Sequence, residues 1–81
     1  MARYFFHLRD GRDVLLDPEG TELESLEAAR IQALKSARAI LAAEVLEGRV
    51  SLYMRIDVEN GAGTIVHKIP FAEAVEVIAE G

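Results

Sequence analysis

The chain has 81 residues, is about half apolar and carries a formal net charge of -5. That is globular composition with room for one domain, read as spanning residues 1–81, whose stability rests on a small core. It has no cysteine, which excludes disulfide staples, thiolate metal sites and cysteine nucleophiles, and its acidity counts against a broad surface for nucleic acid or anionic membrane.

Arg3 to Leu8 reads as an aromatic-rich strand ending at the turn dipeptide Asp10-Gly11. Alternation sends Tyr4, Phe6 and Leu8 to one face and Arg3, Phe5, His7 and Arg9 to the other. Val14-Leu15-Leu16 follows at hairpin distance, and Asp17-Pro18-Glu19-Gly20 stops it, because Pro18 has no N–H to donate and Gly20 tolerates positive φ.

Leu26 to Glu47 reads as one long helix, about 33 Å at 1.5 Å per residue. Ser25 is the expected N-cap, Thr21 with Glu24 gives an earlier alternative capping box, and Gly48 is the natural stop. Helical spacing gathers Leu26, Ala33, Leu34, Ala37, Ile40, Leu41 and Val45 into one apolar stripe, with Ile31, Ala42 and Leu46 as a weaker second patch. Arg30 falls inside the stripe. It is expected either to snorkel past the sheet edge or to pair with a carboxylate near the Asp17 loop.

Leu52 to Glu59 alternates cleanly, with Leu52, Met54, Ile56 and Val58 inward and Tyr53, Arg55, Asp57 and Glu59 outward. Asn60 to Gly63 is a hairpin turn, Thr64 to Ile69 the returning strand, and Pro70 ends its pairing. Phe71, Val75 and Ile78 have the spacing of a short C-terminal helix or turn. The expected fold class is α+β, in the order β-β-α-β-β. A four-stranded, mainly antiparallel sheet would carry the long helix on one face.

No apolar stretch approaches the roughly 20 residues that span a bilayer, and nothing resembles a signal peptide, so a cytoplasmic setting is expected. His7 and His67 are the only histidines and fall on different hairpins, without the further ligands a metal site requires. His7 reads as a half-exposed strand residue with no partner for general-base work. No Ser/His/Asp arrangement and no phosphate-binding glycine spacing emerges, and Asp57 and Glu59, just before a turn, read as solvated. The acidic run from Asp13 to Glu27 lacks the ligand alternation of a calcium loop. No catalytic set, cofactor or metal site is expected. The candidate surface is the face of the first strand, Arg3, Phe5, His7 and Arg9, joined by Tyr53 and Arg55 if the first and third strands are neighbours, with Arg30 as a separate candidate. Such an aromatic and basic mixture superficially suits single-stranded nucleic acid, but the net acidity favours a protein interface.

The opening Arg3-Tyr4-Phe5-Phe6-His7-Leu8-Arg9-Asp10-Gly11 resembles a family of small bacterial proteins classed as a domain of unknown function, with an R-Y-F-F-H-x-x-D-G start. The loop Asp17-Pro18-Glu19-Gly20-Thr21-Glu22-Leu23, the helix start Leu26-Glu27-Ala28-Ala29-Arg30 and the ending Pro70-Phe71-Ala72-Glu73-Ala74-Val75 continue the resemblance over nearly the whole chain. It implies no activity; it does imply that His7 and Arg30 are recurrent features. The element order is also loosely similar to the HicB-type antitoxin fold, by analogy of fold alone. The expected role is a small non-catalytic interaction module that self-associates as a homodimer or binds another protein. Neither a membrane nor nucleic acid is the expected partner, and no small molecule is identifiable from the sequence. The alternatives are an antitoxin-like regulatory partner of protein or nucleic acid, and a small ligand-binding protein or enzyme using His7.

Overall fold

The computed structural model describes residues 1–80 and is organised around its first strand, β1 (Ala2–Asp10). β2 (Asp13–Leu15) and β3 (Thr21–Leu23) both pair antiparallel with the same edge of β1, one with its C-terminal half and the other with its N-terminal half. On the opposite edge, β1 pairs with β4 (Arg55–Glu59), which pairs with β5 (Ile65–Pro70). The sheet order is β2-β1-β4-β5, with β3 beside β1. α1 (Leu26–Leu46) covers one face, and the single turn α2 (Phe71–Ala74) closes the end of the core. The α+β expectation holds, with five strands where four were read.

The added strand is β3. Gly20, at φ 71, reverses the chain after Pro18 and Glu19 and passes so close to β1 that an added Cβ would lie 2.8 Å from the Tyr4 carbonyl oxygen. Glycine is therefore required here on two counts, positive φ and space. Other boundaries move as well. Val14 and Leu15 lie in β2, which starts at Asp13, whereas Leu16 lies beyond it. Leu52 and Tyr53 form a turn before β4 and do not extend the strand, although Leu52 still packs against the core.

α1 starts where Ser25 caps it, its hydroxyl accepting from the Ala28 N–H at 3.0 Å. It ends in a Schellman arrangement: Gly48 (φ 84) donates to the Val45 carbonyl, and Arg49 donates to that of Glu44. The buried line of the helix is Ala29, Ala33, Ala37, Leu41 and Glu44. The stripe read from sequence is thus rotated, since Leu26 and Val45, 48% and 58% exposed, stand in solvent. Alanines let the helix axis approach the sheet, where Val58 and Ile56 face it and Phe71 fills the end. Glu44 is buried at the helix end because it accepts from both the N–H and the hydroxyl of Ser51, at 2.9 and 2.8 Å. Those two bonds hold its carboxyl below the usual range despite its burial, with Arg49 assisting. Among the described residues no helix is long and apolar enough to cross a membrane.

The alanine line yields a stability test. Ala33→Leu is expected to cost about 1–3 kcal/mol through overpacking. Ile31→Ala, on the exposed side of α1, is expected to change stability by less than about 0.5 kcal/mol. Urea denaturation followed by circular dichroism measures both.

Candidate functional site

The register of β1 against β4 decides which side chains share the face opposite α1. Phe5 lies across from Glu59, His7 from Asp57 and Arg9 from Arg55, while Phe6 and Leu8 face the helix with Val58 and Ile56. The condition for Arg55 to join the first strand's outer face is met. The resulting open face is charged and internally paired. Arg9 and Arg55 converge on one carboxylate, with their Nε atoms 3.3 and 2.9 Å from Asp57. Asp57 is 6% exposed, so the solvated reading of it is corrected: two guanidinium groups from adjacent strands roof it over. Arg3 bridges Glu22 of β3 at 3.1 Å and donates to the Glu19 carbonyl at 2.7 Å.

His7 lies at the middle of this face and is 9% exposed, not half-exposed as read from sequence. Its Nδ1 accepts from the Asp17 N–H at 3.1 Å, so the ring proton sits on Nε2, which donates to Glu59 at 2.7 Å. Phe5 stacks on the same ring with centroids 6.5 Å apart. Both nitrogens are thereby committed to fixed partners.

Asp17 completes the arrangement from the other side. β2 and β3 leave the centre of the β1 edge without a strand, and the Asp17 carboxylate fills that gap by accepting from the Phe6 N–H at 3.1 Å. Its other oxygen accepts from Gly20 at 3.1 Å and from Glu19 at 3.4 Å, which is an Asx turn. Burial pushes this carboxyl up, but the bonds from Phe6, Gly20 and Glu19, with the nearby His7, outweigh it and hold the pKa below the ordinary 3.8.

The remaining candidates lie apart. Tyr53 is 68% exposed at the far end of the face, where its hydroxyl donates to Asp10 at 2.6 Å. That bond and the Asp10 charge hold the phenol above its usual pKa. Arg30 stands on the solvent side of α1, paired with Glu27 at 3.0 Å one turn earlier. The expectation that it snorkels at the sheet edge or meets the Asp17 loop is corrected: the buried line passes through Ala29 and Ala33, which turns Arg30 outward. His67 lies opposite Val58, on the helix side, and donates from Nε2 to the Leu26 carbonyl at 2.9 Å. The two histidines therefore occupy opposite faces, and no group of three or more His, Asp or Glu among the described residues is arranged to hold a metal ion.

Two open cavities flank the Leu16–Pro18 segment. One, about 350 Å³, lies on the open face between Phe5, His7, Glu59 and Gly61. The other, about 370 Å³ and largely apolar, lies between Leu15, Leu8 and Ile40 on the helix side. Sequence reasoning read Asp17 only as part of a turn and of the acidic run, and did not single out Glu44. The Asp-x-x-Gly spacing was a signal for Asp17, since that spacing makes an Asx turn; no comparable signal marks Glu44.

The chain belongs to the family described as Domain of unknown function (DUF6894), whose profile matches residues 3–72. No curated protein and no solved structure matches it. Within the matched span, Arg3, His7, Asp17 and Gly20 fasten the acidic loop to β1.

The pH dependence of that fastening follows from the sign of the Asp17 shift. A carboxyl depressed by folding stabilises the native state fully above its unfolded pKa, near 3.8, and loses that contribution as pH falls through the lower folded value. Asp17→Asn is expected to cost about 1–3 kcal/mol at neutral pH by leaving backbone donors poorly matched. The gap between the two proteins should narrow below about pH 4, as read from denaturation midpoints across a pH series.

Proposed function

We propose that this DUF6894 domain is a small, cytoplasmic, non-catalytic interaction module that associates with a second copy of itself. The observation that carries the reading is the bare outer edge of β5. The outer edge of β1 is filled along its length by β2, Asp17 and β3, whereas among the described residues β5 pairs with β4 alone. An unpaired strand edge presents a row of backbone donors and acceptors that another strand can complete. Pro70 ends the usable edge, so Ile65 to Ile69 is the stretch available.

The chemistry of the open face supports a non-catalytic role. His7 has both nitrogens engaged, Asp57 is held by two arginines and Asp17 by three backbone N–H groups. A general base needs a free acceptor within reach of a substrate proton, and these groups are occupied by the fold itself. The same pairing weighs against nucleic acid, because Arg3, Arg9 and Arg55 are already matched by carboxylates of the same sheet. The cysteine-free composition suits a reducing compartment.

Light scattering over a concentration series is expected to show a dimer, and amide hydrogen exchange over Ile65 to Ile69 is expected to slow as concentration rises. Phe5→Asp, on the open face, should leave the mass unchanged. A monomer at every concentration overturns self-association, and a dimer dissolved by Phe5→Asp moves the interface from the strand edge to the sheet face.

A further inference from the structure

We propose that the second copy completes the β5 edge with its own C-terminal segment, residues 75–80, each chain giving this segment to the other in a reciprocal exchange. This inference rests on the self-association reading and specifies the strand that does the pairing.

The core ends at Ala74. Beyond it, residues 75–80 form neither helix nor strand and are all exposed. Yet the segment Val75-Glu76-Val77-Ile78-Ala79-Glu80 is rich in β-branched residues, and Val77 and Ile78 are each 70% exposed. Such a composition fits a pleated, half-buried surface better than open water. The segment also lies outside the residues that the family profile matches, and no described strand or helix includes it.

Length and charge fit the β5 edge. Six extended residues reach about 20 Å, and β5 is itself six residues long. Lys68 is exposed on β5 and takes part in no salt bridge among the described residues. Its cross-strand neighbour Asp57 is already held by Arg9 and Arg55. The segment brings Glu76 and Glu80, the opposite charge. Direct pairing of β5 with its own copy would instead set two lysines on one short edge and leave Val77 and Ile78 in water.

The point of departure also fits. α2 begins immediately after β5, with Phe71 fully buried and its N–H donating to the Met54 carbonyl at 2.8 Å. Arg38 of α1 donates to the Ala74 carbonyl at 2.7 Å. The segment is thus launched from a fixed point after β5, and among the described residues it pairs with no strand of its own chain. Exchange of an identical element between two protomers satisfies both bare edges at once.

The absence of native cysteine makes the test direct. Lys68→Cys and Glu76→Cys are introduced in separate full-length chains, mixed and oxidised. A covalent dimer containing one chain of each kind is expected, in at least tenfold excess over either homodimer. Lys68→Glu should weaken the unmodified dimer at least tenfold by light scattering, and adding Glu76→Lys to the same chain should restore it. The double variant Val77→Asp with Ile78→Asp should be monomeric while keeping the helical circular dichroism signal of α1 and the wild-type cooperativity of urea denaturation. A Lys68→Cys homodimer that forms as readily as the mixed one overturns the exchange and leaves direct β5 pairing. A double variant that stays dimeric overturns it too. A wild-type monomer at all concentrations overturns the self-association reading itself.

Discussion

The Asp17 carboxylate is the centre of the contacts that hold the acidic loop along the edge of β1. The chain between β2 and β3 must return along β1 without being a strand, and this leaves central backbone groups of β1 in need of partners. Asp17 supplies one by accepting from Phe6, while its own N–H engages His7. Buried backbone donors without partners are costly, so the pairing of β1 on this edge depends on that substitution of side chain for strand. Gly20 is the second half of the same device, since only a residue without Cβ can pass the Tyr4 carbonyl at that distance. His7 then transmits the arrangement across β1 to Glu59 at the end of β4.

The alanine line on α1 sets the depth of the other side. With three fully buried alanines facing the sheet, most of the large core residues come from the sheet, Met54 and Phe71, and the helix adds Leu41. The helix contributes proximity more than volume. This explains why so many of its larger apolar residues, among them Ile31, Val45 and Leu46, lie in solvent. Glu44, buried in the last turn, ties the helix end to Ser51 and so fixes how the chain enters β4.

Much of this was legible in the residues. Strict alternation placed Phe5, His7 and Arg9 on one face and Phe6 and Leu8 on the other, and a two-residue period survives whatever pairs beside it. Ser25 and Gly48 marked the helix ends because capping chemistry is local. The helix phase was misjudged because hydrophobicity ranks leucine and valine above alanine, whereas the close approach of helix and sheet selects for small size. That error carried Arg30 inward with it. β3 was missed because three residues, Thr21-Glu22-Leu23, have no pattern of their own and become a strand only where Gly20 delivers them to β1. The burial of Asp57 needs a register: Arg9 reaches it only because β1 and β4 are adjacent and aligned. Adjacency between elements separated by a long helix is not a local property.

That adjacency has a consequence for how the chain acquires its structure. The central pair of the sheet joins the first strand to the fourth, with Phe5 opposite Glu59, so loop-closure entropy must be met before its contacts can form. The helix and the two hairpins are local and can appear early, but the seam that unites them is the most distant pairing in the sheet. During synthesis the aromatic first strand therefore leaves the ribosome long before its partner exists. Until then, β2, the Asp17 loop and β3 on one edge of β1, with α1 behind them, are what keeps Tyr4, Phe5 and Phe6 from pairing elsewhere.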